Sequence, residues 1–271
     1  MFFNGQNHKK NIQQKIRRKI RKIQENRVFN GKPNLVVFSG AGISQESGID
    51  TFRASNGLWN NHNVKEIATP EGYRKNPELV IDFYNQRRVD ISNAEPNQAH
   101  KIIAELEEFY NVTVVTQNID DLHERAGSSN IYHIHGEIKK VQDHGNERNV
   151  FELEELIQDY DKRNPKTNAR LRPYVVWFGE RPRFITESQK AIMEADVVVV
   201  VGTTLKVEPA SSLVNYIPKK AKFYFIDPEP NINEDSFINL EVLEEKATVG
   251  FQKIKNILEV HSLEIKEKLS K

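Results

Sequence analysis

Four short stretches hold residues whose types and spacing could do chemistry, and each follows an apolar run. In "FSGAGISQESGIDTFR" (residues 38–53), Gly40 and Gly42 permit backbone conformations and close approaches that a Cβ would block, and Ser44 can cap a helix that follows. A strand, a glycine loop and a helix start, in that order, suit an anion or a nucleotide. The spacing is not the dinucleotide fingerprint G-x-G-x-x-G, and a glycine turn of this kind serves structure alone as readily as a ligand. "TQNIDDLHERAG" (116–127) sets Gln117, Asn118 and Asp120 just past two valines, amides and a carboxylate suited to sugar hydroxyls and carboxamides. "HIHGE" (133–137) offers His133 and His135, with His135 beside Gly136 at a strand end, where an imidazole is either a proton acceptor or a structural hydrogen-bonding group. "GTTL" (202–205) follows five valines with Gly202, Thr203 and Thr204, again suited to phosphate or ribose.

Such groups need elements that bring them to one place. Short apolar runs at "LVVFSG", "VTVVTQN" (112–118), "IYHIHG" (131–136), "YVVWFG" (174–179), "DVVVVVG" (196–202) and "FYFID" (223–227) predict strands. Helical periodicity over 78–88, 97–108, 185–194 and 249 to about 269 alternates with them. That alternation predicts a Rossmann-like α/β fold, a doubly wound parallel sheet covered on both faces, with ligands at the carboxyl ends of its strands. Residues 142–170 are charged and break the rhythm, which predicts a small inserted subdomain with one helix over 150–160.

Composition narrows the function classes. The chain has 271 residues, 38% hydrophobic and 28% charged, a globular balance with room for a sizeable core. It has no cysteine, which excludes disulfides, thiolate nucleophiles and cysteine-based zinc sites. No apolar run is long enough for a membrane span, and no secretory leader is recognisable, so a cytoplasmic location is expected. Residues 1–27 carry nine Lys/Arg against the single acid Glu25, and Ile12, Ile16, Ile20 and Ile23 recur at helical spacing. The segment 1–30 therefore reads as a basic amphipathic helix. It either docks its isoleucines on the rest of the chain or contacts an acidic partner; without interleaved aromatic residues, nucleic acid is not the expected one.

The motifs in order, "GAGIS-x2-SGI-x-TFR", "TQNID-x-LHERAG", "HGE", "VVWFGE" and "GT-T-L-x-V-x-PA", resemble those of the sirtuins, NAD-dependent protein lysine deacylases. The resemblance runs from about Leu35 to the C-terminal helix, leaving out 1–30 and 142–170, and makes 31–271 the catalytic domain. It implies that Gly40, Ala41, Gly42, Ile43 and Ser44 wrap the phosphates of NAD, with Phe52 and Arg53 on a loop that closes over it. It implies that Gln117, Asn118, Ile119 and Asp120 hold the nicotinamide ribose and carboxamide. Gly202, Thr203 and Thr204, with Asp227 and Ala247, would bind the adenosine side. Catalysis would fall to His135 as general base and to Asn118. In this family the acyl oxygen attacks C1′ of the nicotinamide ribose and nicotinamide leaves. The histidine then deprotonates a ribose hydroxyl, and lysine and O-acyl-ADP-ribose result. His133 is expected to be a hydrogen-bonded strand residue and His123 part of a helix beside the site. Val176, Phe178, Gly179 and Glu180 in "VVWFGE" would offer an extended edge to an acylated substrate peptide.

"DFYNQRR" places Tyr84 and Arg87 three residues apart on one side of a helix. A Tyr-x-x-Arg pair here is, by the resemblance, that of bacterial sirtuins acting on succinyl- or malonyl-lysine, and a guanidinium with a phenol suits a carboxylate. Arg88 is the alternative partner if the register differs by one. The chain departs from the family in two respects. The four cysteines that bind a structural zinc in the region of 142–170 are absent, and Asp143, His144 and Glu147 make no convincing metal set. Packing of Val150, Phe151, Leu153, Leu156, Ile157 and Tyr160 is expected to hold that region instead. Asp227 stands where asparagine is usual. Two other functions stay open: ADP-ribosyl transfer or simple NAD hydrolysis, and NAD binding without turnover.

Overall fold

The computed structural model describes residues 31–50, 58–59 and 62–269. The basic N-terminal segment, Phe52 and Arg53 lie outside them. The strands are β1 (Asn34–Ser39), β2 (Leu58–Trp59), β3 (His62–Asn63), β4 (Asn111–Thr116), β5 (Ile131–His133), β6 (Gly136–Asp143), β7 (Asn146–Glu152), β8 (Leu171–Val175), β9 (Val197–Val201), β10 (Lys222–Ile226) and β11 (Leu240–Leu243). The helices are α1 (Gly42–Gln45), α2 (Val64–Ile67), α3 (Pro70–Lys75), α4 (Pro77–Asn93), α5 (Gln98–Glu105), α6 (Leu122–Ala126), α7 (Ile185–Met193) and α8 (Ala247–Leu269).

Six strands form one parallel sheet in the order β11-β10-β9-β1-β4-β5. Alternation along the strands divides the core in two. Leu35, Val37, Val197, Val199 and Val201 pack on one face with Ala99, Ile102, Phe251, Ile254 and Leu258 of α5 and α8. Val36, Phe38, Val198 and Val200 pack on the other with Ile192 of α7 and with Leu213 and Val214. The five consecutive valines of β9 are all buried because helices cover both faces, as a continuous apolar strand requires. The predicted doubly wound α/β fold is the one observed.

A second, smaller lobe stands beside the carboxyl ends of β1, β4 and β5. It joins α2, α3 and α4 to an antiparallel sheet of order β7-β6-β8 through a core of Ile67, Tyr73, Val80, Ile81, Phe83, Tyr84, Ile138, Val175 and Trp177. Helix α4 is capped by Asn76, whose side chain accepts from Leu79 N–H, and begins with proline at its first turn.

The small lobe corrects three sequence expectations. Its sheet begins at Gly136, well before residue 142. The helix expected over 150–160 is replaced by the edge strand β7 and a loop; the charged run NERNVFE suits an edge, where Glu147, Arg148 and Glu152 discourage further pairing. The run 174–179 is not a strand of the parallel sheet, since β8 ends at Val175 and pairs antiparallel with β6.

The expected apolar packing of the insertion is largely missing, since Phe151, Leu156, Ile157 and Tyr160 are exposed and only Val150 and Leu153 are half-buried. What ties the segment together is Asp143, which is 1% exposed. Its carboxylate accepts hydrogen bonds from Asn164 Nδ2 (2.7 Å), Thr167 Oγ1 (2.8 Å) and Asn149 Nδ2 (2.8 Å). The two ends of the insertion are thereby clasped to one anion. These donors are neutral amides and a hydroxyl, with no thiolate or imidazole, so the set does not fit a structural zinc.

Beneath the parallel sheet, His100 of α5 is fully buried, and neither of its ring nitrogens has a hydrogen-bond partner among the described residues. Its ring meets that of His123 edge-on at 4.9 Å. Burial pushes its pKa down to about 4. A folded-state pKa below the unfolded value of about 6.5 means that the unfolded chain binds the extra proton, so this contribution is intact above that value and is lost as pH falls towards 4. His100→Leu is therefore expected to retain roughly 2 kcal/mol of stability at pH 5 that the native chain loses there. Thermal unfolding of both proteins at pH 7 and pH 5 measures the difference. Equal pH dependence in the two would show that the ring is not held neutral.

Candidate active site

A cavity of about 750 Å³ opens between the lobes. Each lobe contributes a separate part of its wall.

From the parallel sheet comes the turn between β1 and α1. Gly40 N–H donates to Val201 O (3.0 Å) and Gly42 N–H to Gly202 O (2.9 Å), stitching this turn to the end of β9. A Cβ on Gly42 would come within 2.6 Å of Gly202 Cα, and one on Gly202 (φ +61°) within 2.4 Å of Ile43 N. No side chain fits at either position. Ala41 lines the cavity, whereas Ile43 is wholly buried in the core.

The stretch after β4 supplies the polar wall, with Gln117, Asn118, Ile119 and Asp120 all facing the cavity. Asn118 Nδ2 donates to Gly40 O (3.2 Å) and Ser44 Oγ (3.1 Å), and Ser44 Oγ–H donates to Asp120 (3.0 Å). Both amide hydrogens of Asn118 are thus engaged, and its Oδ1 is left as an acceptor. Gln117 Nε2 reaches Thr203 Oγ1 at 3.0 Å, joining this wall to the end of β9. Burial pushes the Asp120 carboxyl up to about 6, against hydrogen bonds from Leu122 N–H and Ser44.

The two histidines of "HIHGE" separate by environment. His133, on β5, faces two acceptors: Asn118 O at 3.0 Å from Nδ1 and Glu124 Oε1 at 2.7 Å from Nε2. Burial opposes its charged form, but the Glu124 carboxylate outweighs that and raises its pKa. It is a hydrogen-bonded strand residue, as expected. His135 lies in the turn between β5 and β6 and lines the cavity. Its Nδ1 is 3.0 Å from Gln117 O, a carbonyl that can only accept, so the ring proton sits on Nδ1 and Nε2 carries a lone pair. Burial lowers its pKa and so favours the neutral ring, while the hydrogen bond to Gln117 O acts in the opposite direction. His123, in α6, is buried, and its Nε2 lies 3.0 Å from Ser39 Oγ beneath the site.

Residues 175–180 form the far wall as a turn, not as the extended edge anticipated. Val176 N–H donates to His135 O (2.8 Å), Phe178 N–H to Ala68 O (3.0 Å) and Glu180 N–H to Trp177 O (2.9 Å). Glu180 has both carboxylate oxygens engaged, one by Arg172 Nη2 (2.7 Å) and the other by Trp177 N–H (2.8 Å), so it shapes this wall. Val176, Phe178 and Gly179 line the cavity.

Helix α4 closes the remaining side with Tyr84, Arg87, Asp90 and Ile91. Tyr84 Oη accepts from Trp177 Nε1 (3.1 Å), and burial pushes its pKa far up, so it is a neutral phenol with its own hydrogen to give. Arg87 is the one lysine or arginine among the described residues lining the cavity. Its Nη2 pairs with Asp90 at 2.5 Å, while its Nε is buried without a partner among the described residues. Arg88, the alternative, points away; it is 3% exposed and bonds Ile138 O, Asn85 and Gln158.

Not every expected residue reaches this cavity. Thr204 is exposed and its carbonyl accepts from Asn231; Asp227 is buried with Oδ1 on Glu229 N–H; Ala247 is buried at the start of α8. None of the three is among the cavity's lining residues, and neither are Gly40, Gly42, Ile43, Ser44, Gly202 and Thr203. Conversely Ile49, Asp50, Trp59, Asp90 and Val207 line it without having been singled out. Ile49, Asp50 and Val207 sit inside quoted motifs, so their neighbours carried the signal; nothing local marks Trp59 or Asp90.

Comparison with known proteins agrees with this arrangement. The model of the Sir2 family matches residues 40–209. An NAD-dependent protein deacylase of Bacteroides thetaiotaomicron is 45% identical over 83% of this chain and 97% of its own. One from Helicobacter pylori is 45% identical over 81% of this chain and 94% of its own. Among solved structures, a Sir2 homologue in complex with NAD superimposes with a TM-score of 0.75 at 35% identity, over 84% of this chain and 90% of that one. A mutant Sir2 homologue bound to ADP-ribose gives 0.76 at 36%, over 83% and 91%. The chain belongs to the Sir2 family.

Proposed function

We propose that this protein is an NAD-dependent protein-lysine deacylase whose acyl pocket accepts acidic groups such as succinyl. The observation that carries the acyl preference is Arg87, a cation in the cavity wall whose buried Nε–H has no partner among the described residues, with Tyr84 lining the same cavity. A guanidinium with an unused donor suits the distal carboxylate of a dicarboxylic acyl chain, and the phenol adds a neutral hydrogen bond.

The glycine turn and polar wall fit NAD. Gly40, Gly42 and Gly202 let the turn after β1 pack directly on the end of β9, which sets Ala41 in the cavity wall, and Gln117, Asn118 and Asp120 in the same wall suit hydroxyl and carboxamide groups. When bound, NAD supplies the ribose carbon that receives the acyl oxygen as nicotinamide leaves. Asn118 orients hydroxyls through Oδ1, its amide hydrogens being held by Gly40 and Ser44. His135 takes a hydroxyl proton at Nε2, its other nitrogen fixed by Gln117 O. Phe178 and Gly179 flank the mouth where the lysine stem of the substrate protein enters.

The test is to incubate the protein with NAD and one peptide carrying either acetyl- or succinyl-lysine, and to follow peptide and nucleotide products by mass spectrometry. Deacylated peptide with O-acyl-ADP-ribose is expected, and Arg87→Met should reduce succinyl turnover at least about tenfold more than acetyl turnover. Nicotinamide release without peptide deacylation, or ADP-ribose attached to protein, would replace this reading with NAD hydrolysis or ADP-ribosyl transfer.

A further inference from the structure

We infer that Asp90 sets the acyl selectivity of this site by neutralising Arg87, so that an acidic acyl group must compete with a carboxylate already in the pocket. The inference rests on the reading that Arg87 receives the acyl carboxylate. Asp90 lies one turn along α4 from Arg87, and both line the cavity. The pair is made at 2.5 Å, with the Arg87 side chain only 13% exposed and that of Asp90 34% exposed. A contact this shielded is not erased by solvent as a surface ion pair would be. Gln86 Nε2 holds the other oxygen of Asp90 at 2.9 Å, so the carboxylate is held from both sides.

Two chemical consequences follow. The guanidinium is half used: Nη2 is engaged by Asp90 and Nε is not engaged by any described residue. An incoming carboxylate can take the free side, or it can displace Asp90 and make the two-pronged contact that guanidinium favours. Either way a second negative charge arrives beside the first, and like charges at this range oppose binding. Short neutral acyl groups that never reach Arg87 incur no such penalty. Asp90 therefore narrows the gap between succinyl and acetyl substrates that Arg87 alone would open.

Asp90→Asn tests this, because it keeps the shape and the Gln86 contact while removing the charge. The ratio of kcat/KM for succinyl- over acetyl-peptide is expected to rise about five- to tenfold, through a lower KM for the succinyl peptide. Asp90→Ser, which is smaller and equally neutral, should move the ratio the same way, and melting curves confirm that both variants fold. A ratio that stays level or falls in both, while Arg87→Met still loses succinyl turnover selectively, would overturn the role of Asp90 and leave the acidic-acyl reading standing. If Arg87→Met shows no selective loss, the reading beneath the inference fails and the inference with it.

Discussion

Replacing His135 by alanine is expected to lower kcat/KM for deacylation about 10²- to 10⁴-fold, the usual contribution of a positioned general base. Binding of NAD should persist, because the glycine turn and the wall of Gln117, Asn118 and Asp120 are built without the imidazole. The two readouts are peptide turnover by mass spectrometry and the shift in melting temperature that NAD produces. The prediction follows from the fixed tautomer: Gln117 O holds the ring proton on Nδ1, leaving Nε2 as the only basic position. Since burial lowers the pKa of His135, activity should fall on acidification below its ordinary value of about 6.5 and be level above it. A variant that keeps more than about a tenth of native turnover would remove His135 from proton transfer.

The second large effect is structural. Asp143→Ala leaves Asn149, Asn164 and Thr167 without their shared acceptor inside the small lobe. Each hydrogen bond to a charged group is worth about 1.5–3 kcal/mol, and losses within one cluster are less than additive, so a destabilisation of about 3–5 kcal/mol is expected. Hydrogen exchange should locate it: amides of β6, β7 and residues 153–170 become fast while those of β1, β4 and β9 stay slow. Asp143→Asn, which keeps one acceptor, should fall between. Unchanged exchange in the small lobe of the alanine variant would show that the clasp contributes nothing there.

Much of this could be read from residue order. The valines of β9, the alternation of β1 and the helical spacing in α5 specify a sheet covered on both faces, because burial on two sides leaves no other use for five consecutive valines. The polar strand ends were legible for the same reason, since a parallel sheet delivers them to one edge. Two kinds of information were not. Neighbouring arginines differ only by their rotation about a helix, and nothing local tells that Arg87 faces the cavity while Arg88 faces Ile138 and Gln158. The clasp depends on partners 21 and 24 residues away from Asp143, which no window of periodicity reports. The apolar residues that looked like a helix face over 150–160 are instead partly on an edge strand and partly exposed in a loop.

The division of labour between the lobes also bears on how such a catalyst diversifies. The residues around His135 sit on the strand ends of the large sheet, next to glycines that tolerate no side chain. The side closed by α4 presents Tyr84, Arg87 and Asp90 from a run of seven residues on one helix of the smaller lobe. A lineage can therefore exchange the groups it removes by drift within about two turns of α4, leaving the wall across the cavity untouched. An engineer could do likewise by grafting that segment alone.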